Sequence, residues 1–424
     1  MGIADRKNAK GLFAGGTLSV AASLLVGVFA YLVRRFLASS LSVEDYASVY
    51  ALMALGMLAV SIFRFGTAEA VLFVLSGLKD PAGTEGRRLF SGVCLWNIAV
   101  FAIITFAAAL FLIAGGRPAG VELPLPTLLL FLPFLFLSAF EGIFGNAFNA
   151  LGAFGWQYGI QVLKMGLMFV GAVLVCGMPE RAVLAFNVPL LIIFLLSCVG
   201  LRRLFCVDAL RGSWGREIRE QAPRCLCLWL FSFNPVIFSE LATAVLAGAS
   251  SLSEVAFFNI AVPAAMIIRS FYCVAMVFVP FAGAMKNSGD YRKLALCIRI
   301  SAAATVAAGL LLIPVFALFG RMLICLLFGE KYADASLSAF LLSEAMVVAF
   351  SGQMNINTLN TLGKERLSAL LSLLTAALAV AIYIPLARFH GAAGVAAGCF
   401  AVAAAWSTVS YVLLMRQLRR IARP

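Results

Sequence analysis

Apolar runs of about 20 residues, the length a helix needs to cross a bilayer's hydrocarbon core, recur along the whole chain. They fall at approximately 12–33, 46–75, 89–114, 123–143, 158–178, 182–201, 225–248, 255–284, 294–319, 336–360, 367–387 and 391–415. Twelve such runs leave little chain between them, and the longest connection is Arg202–Arg224. Composition agrees: 63% of residues are hydrophobic and 12% charged, against about 45–50% and 25% in soluble domains. A water-soluble fold of 424 residues could not cover that much apolar surface. Soluble enzymes, nucleic-acid modules, secreted disulfide scaffolds and disordered chains are excluded at this step. The first run, Gly11–Val33, is too long for a signal-peptide core and ends on Arg34-Arg35, so it reads as an uncleaved span.

The net charge of +13 would suggest nucleic acid in a soluble protein. Sorted by loop, 22 cations fall on the side of the N-terminus and 7 on the other, with Arg64, Lys164 and Arg269 inside spans. Cationic loops stay cytoplasmic, so this asymmetry predicts both termini in the cytoplasm and accounts for the charge without nucleic acid. The ten cysteines include no C-x-x-C pair and read as small core- or lipid-facing residues. No metal site is expected.

Two motifs repeat at one displacement. Ala38-Ser39-Ser40-Leu41-Ser42 recurs as Ala249-Ser250-Ser251-Leu252-Ser253, and N-x-x-N-x-L-G at Asn146–Gly152 recurs at Asn357–Gly363, both 211 residues on. A shift of six spans preserves orientation, which makes these parallel repeats about an axis along the membrane normal. The expected fold is an all-α integral membrane protein of about twelve helices. Residues 1–201 and 225–424 form two six-helix lobes, 202–224 a basic cytoplasmic linker, and a V-shaped cavity lies between the lobes.

Charges in hydrocarbon cost roughly 2.5–3.5 kcal/mol each on insertion scales and usually mark a pathway. Arg64, Lys164 and Arg269 lie within spans, accompanied by Glu69, Glu141, Glu240 and Glu344, while Arg34 and Arg35 close the first span. One reading is a polar cavity whose cations hold an anionic substrate, with carboxylates taking a coupling proton or Na⁺. The other is interhelical ion pairs, or side chains that snorkel to an interface. Arg64 and Arg269 occupy corresponding helices of the two repeats, and two guanidiniums from opposite lobes suit a diphosphate through bidentate bonds. Prolines at 133, 189, 235, 263, 280, 314 and 385 can kink spans around a cavity. No P-loop, H-E-x-x-H or serine triad is present and the only histidine is His390, so no catalytic residues and no cofactor beyond the coupling ion are expected.

Leu41-Ser42-Val43-Glu44-Asp45-Tyr46-Ala47 with Tyr50, Leu327-Phe328-Gly329-Glu330-Lys331-Tyr332, Asn360-Thr361-Leu362-Gly363-Lys364, Ile384-Pro385-Leu386 and Gly391-Ala392-Ala393-Gly394 together resemble a known family. It is the polysaccharide biosynthesis (O-antigen, lipid-linked oligosaccharide) flippases of the multidrug/oligosaccharidyl-lipid/polysaccharide exporter superfamily. Tyr46-Ala47 stands where such sequences usually carry Tyr-Gly, and the family often has up to fourteen spans. The resemblance implies a bacterial inner-membrane protein that turns polyprenyl-diphosphate-linked oligosaccharide to the outer leaflet by ion-coupled alternating access. It also implies membrane lipids, a polysaccharide polymerase and a chain-length regulator as partners. Three alternatives remain at this stage: a multidrug or cation exporter of the same superfamily, a cell-wall lipid flippase, and a membrane glycan polymerase or ligase.

Overall fold

A computed structural model describes residues 3–78, 80–175, 177–206, 226–227, 229–230, 233–269, 278, 282–283, 285–286 and 288–421, without the side chains of 3–20, 73, 235 and 266–269. Every regular element among them is helical. Most of the basic linker falls outside the described residues. The chain divides into two compact units, Met1–Ser232 and Phe233–Pro424. Eight of the described helices are long and apolar enough to cross a membrane.

The first unit contains α1 (Ile3–Ser40), α2 (Val43–Phe63), α3 (Thr67–Gly77), α4 (Thr84–Ile113), α5 (Leu125–Ala150), α6 (Phe154–Val173) and α7 (Pro179–Gly200). Ser42 starts α2 by accepting a hydrogen bond from the Asp45 amide at 3.0 Å, which satisfies one of the free N–H groups at a helix N-terminus. α5 is the centre: its i, i+4 face of Phe136, Phe140, Phe144 and Phe148 packs with Phe90 on α4 and Phe194 on α7. α4 is its counterpart at the periphery, with 17% of its most apolar window buried against 56% for α5. Lipid supplies its cover.

The second unit contains a π-turn at Ile237–Leu241 running into α8 (Ala242–Ala249), then α9 (Leu252–Arg269), α10 (Tyr291–Phe328), α11 (Ala335–Thr361) and α12 (Glu365–Ile421). α11 is the core helix, 67% buried over its apolar window and packed on α9, α10 and α12, whereas α10 is 11% buried. The eleventh and twelfth sequence runs are joined within α12 but separated by a break at Gly391 (φ 55, ψ −138). The Glu254 carboxylate lies over that break and accepts a hydrogen bond from the Ala392 amide at 2.6 Å. A carboxylate at a fresh helix N-terminus meets both an unsatisfied N–H and the positive end of the dipole. Glu254→Ala is expected to lower stability by about 1–2 kcal/mol, read as a fall in the thermal midpoint of the purified protein.

The repeated N-x-x-N-x-L-G motif has a physical meaning in both units. Gly152 (φ 68) and Gly363 (φ 76) follow the ends of α5 and α11 in the left-handed conformation. Ala153 donates to Phe148 O in one and Lys364 to Leu359 O in the other, the bond of a Schellman stop. The Leu327–Tyr332 motif is also a turn, with Gly329 at φ 96 and Tyr332 fully buried. Lys331 stands over the Tyr332 ring at 5.0 Å, and partial desolvation lowers its ammonium below the ordinary lysine range.

Candidate functional site

The second apolar run does not cross as one helix. α2 stops at Phe63 and α3 begins at Thr67, with Phe65 at φ 46 and Gly66 at φ 72 between them. Phe65 is the one non-glycine residue with positive φ among the described residues; left-handed backbone costs an L-residue roughly 1–2 kcal/mol. The surroundings hold the break in place. Thr67 Oγ1 donates to Arg64 O at 2.8 Å, Asn97 Nδ2 to Thr67 Oγ1 at 3.0 Å, and Asn146 Nδ2 to Ala68 O at 2.9 Å. Trp229 Nε1 donates to Ser61 O at 2.8 Å, with its ring 5.7 Å from that of Phe65. Phe65→Ile, β-branched at a left-handed position, is expected to cost about 1–2 kcal/mol. Phe65→Gly, which removes the strain, should stay within about 1 kcal/mol of the native protein in the same thermal melts.

Arg64 caps the end of α2, and the break after it turns Glu69 toward it; in a continuous helix a residue five positions on would lie on another face. Arg64 Nη2 pairs with Glu69 Oε1 on α3 at 3.2 Å, with the two side chains 17% and 15% exposed. Arg64 Nε and Glu69 Oε2 are buried without a hydrogen-bond partner. Gly142 on α5 leaves the room the guanidinium needs, since a Cβ there would stand 2.1 Å from Arg64 Nη1. Lys164 on α6 pairs with Glu141 on α5. Both of these residues and Arg64 line one cavity of about 330 Å³, shared with Ser138, Asn146, Gln157, Gln161 and Ser197. Its wall therefore carries two cations, one carboxylate and a set of amides and hydroxyls, enclosed by Phe144, Phe148, Ile160 and Phe194. Space for a small charged headgroup with several hydrogen-bonding partners is what a recognition pocket requires.

The remaining sequence candidates are dispersed. Arg34 sits over the Tyr50 ring at 5.1 Å, while the neighbouring Arg35 is exposed. Glu240, on the π-turn of the second unit, accepts a hydrogen bond from the Ser239 hydroxyl. Glu344 on α11 is 8% exposed. Arg269 ends α9, and its side chain lies outside the described residues, as does most of the chain after it up to residue 281. Arg64 is thus brought together with Lys164. Arg64 and Lys164 are each ion-paired, and each also lines this cavity, which lies within the first unit.

Gln157, Gln161 and Ser138 were not among the sequence candidates. Their spacing does carry a signal: Gln157, Gln161 and Lys164 fall at i, i+4, i+7 on α6, the single polar stripe of an apolar helix. Ser138, Gly142 and Gly145 make the matching small-residue stripe on α5, where Gln157 packs against Gly145.

This is an all-helical architecture with several helices long and apolar enough to cross a membrane. Among solved structures, the chain is similar to an inward-facing multidrug resistance MATE family transporter of the MOP superfamily (TM-score 0.73, 17% identity, covering 96% of this chain and 98% of that one). It is also similar to the lipid II flippase MurJ in an inward closed conformation (TM-score 0.70, 12% identity, covering 96% and 90%). A mutant of the Vibrio cholerae MATE transporter VcmN matches at TM-score 0.66 and 16% identity, covering 97% of each chain. At such identities the likeness establishes the fold. No protein-family model matches the sequence, and no curated protein does.

Proposed function

We propose that the protein is a bacterial inner-membrane flippase that carries polyprenyl-diphosphate-linked oligosaccharide from the cytoplasmic to the outer leaflet for O-antigen, capsule or exopolysaccharide synthesis. The observation that supports this reading most is the pair of cations, Arg64 and Lys164, on one membrane-embedded cavity with an amide-rich wall. Arg and Lys bind phosphate oxygens by charge-assisted hydrogen bonds, and the amides suit sugar hydroxyls. Each cation already has a carboxylate partner, so an incoming diphosphate takes the carboxylate's place on the cation, and the displaced carboxylate is left to water or a proton in the cavity. A polymerase and a chain-length regulator are the partners such a product needs. Both termini are placed in the cytoplasm by the loop charges, and residues 202–224 join the two lobes. The carrier runs by ion-coupled alternating access and performs no covalent chemistry.

One specific observation favours a second reading. Glu69 and Glu141 sit in or beside the same cavity, and paired carboxylates suit the cationic cargo of a multidrug exporter. A deletion strain separates the two. A flippase leaves lipid-linked glycan trapped on the inner leaflet and bare cells, with drug sensitivity unchanged. An exporter gives sensitivity to cationic drugs with surface glycan intact, and that result would end the flippase reading.

A further inference from the structure

Glu344 lies ten positions into α11, on the helix with the most buried apolar window of the second unit. It faces Gly309, which is 18 residues from one end of α10 and 19 from the other; a Cβ at 309 would stand 2.8 Å from Glu344 Oε2. The opposing face of α10 is small and polar: Thr305 bonds back to Ser301 O, and the Ser301 hydroxyl contacts Met354 Sδ of α11. Glu344 is 92% buried, and Oε1 has no hydrogen-bond partner. Nor does it form an ion pair among the described residues.

Among the described residues no surrounding element pairs a cation with it. On α11 Glu344 is the only charged residue, and on α10 the nearest charges are Arg299 and Arg321, about three turns from Gly309, with Arg292, Lys293, Cys297 and Cys325 farther along. α9 carries Glu254 and Arg269 at its ends, and α12 carries Glu365, Arg366, Arg388, His390, Arg416, Arg419 and Arg420, with Tyr383, Cys399 and Tyr411 as further titratable groups. A bare carboxylate in such a place costs several kcal/mol. A divalent metal ion would call for further carboxylate or imidazole ligands, and no group of three or more His, Cys, Asp or Glu side chains exists among the described residues. A proton removes the charge and needs no cage.

We infer that Glu344 is a proton-binding site on the α10–α11 seam, in the unit that does not contain the Arg64–Lys164 cavity, and that the coupling ion is H⁺. The inference deepens the flippase reading and rests on it for what the proton drives. Gly309 is the residue that makes the site possible, because its missing side chain leaves the space the carboxyl occupies.

Dicyclohexylcarbodiimide adds across the O–H of a protonated carboxyl in an apolar setting, and the adduct rearranges to a stable N-acylurea with no leaving group. The full-length protein in liposomes is labelled at mildly acid and at alkaline pH, and the modified peptide is mapped by mass spectrometry. Labelling at Glu344 is expected in acid, falling at least severalfold in alkali and lost in Glu344→Gln. No labelling at either pH, or equal labelling at both, overturns proton exchange at this residue. In cells Glu344→Gln is expected to lose surface glycan at normal membrane level, with Glu344→Asp partly active. Full glycan in Glu344→Gln, with Lys164→Ala bare, overturns this inference and leaves the flippase standing. Full glycan in both variants counts against the flippase reading itself. Gly309→Ala, which crowds Oε2, is expected to reduce labelling without changing the peptide mapped elsewhere.

Discussion

Cells that carry Lys164→Ala in place of the native protein are expected to display little or no surface glycan while keeping normal amounts of the protein in the membrane. A charge-assisted contact to a phosphate is worth about 1.5–3 kcal/mol, so losing one should slow transport by roughly ten- to a hundredfold, at about 1.4 kcal/mol per decade. Arg64→Ala should act in the same direction, and the double variant more strongly if both cations hold one headgroup. The partner carboxylates provide the control. Glu141→Gln leaves Lys164 in the cavity without its internal anion, and on the flippase reading it should retain transport. A cation exporter predicts the reverse order, with Glu141→Gln inactive and Lys164→Ala tolerated. Assays of surface glycan at matched membrane levels decide between the two orders. Wild-type display in both Lys164→Ala and Arg64→Ala would remove the cavity from the mechanism.

Gly352→Leu is expected to prevent the second unit from assembling. At this position on α11 a Cβ would meet Trp406 Cε3 at 2.7 Å and Ser407 Oγ at 2.8 Å on α12. Those atoms belong to a polar stitch between the helices. Ser407 Oγ donates to Val348 O at 2.6 Å, and Asn355 Nδ2 donates to Ser407 O at 3.3 Å and Ser410 Oγ at 3.2 Å. A leucine side chain must push α11 away from α12, breaking these bonds where no water can replace them. Overpacking alone costs about 1–3 kcal/mol, and each interhelical hydrogen bond adds about 0.6–2 kcal/mol in a membrane. The sum is comparable to the whole stability of many proteins. Gly352→Leu should therefore aggregate on extraction into mild detergent, with Gly352→Ala impaired but folded. A native elution profile and melting curve for Gly352→Leu would show that α11 and α12 do not approach as closely as described.

The all-helical, membrane-spanning class was legible because it follows from length and polarity alone: 20-residue apolar runs have one stable solution in a bilayer. The repeat was legible because Asn-x-x-Asn-x-Leu-Gly encodes a local event, a helix stop that needs a left-handed glycine, and the same event is found at Gly152 and Gly363. The individual candidates were visible as charges in apolar runs, but not their company. Arg64 and Lys164 are 100 residues apart in sequence, and only the packing of α5 between α2 and α6 brings both to one cavity. The break at Arg64–Gly66 was hidden for a similar reason. Its local sequence, with Phe65 before Gly66, favours no left-handed pair, and the distant donors Asn146 and Trp229 hold it there.

Sequence by itself determined the solvent this chain folds in, the helical class, the repeated helix stop and the residues that carry charge into apolar runs, since all of these depend on composition and spacing along one chain. Which of those charges meet, which lack an ion-pair partner among the described residues as Glu344 does, and which glycine opens the space for them were decided by the tertiary structure, because contact between helices depends on facing directions and backbone distances that no linear pattern specifies.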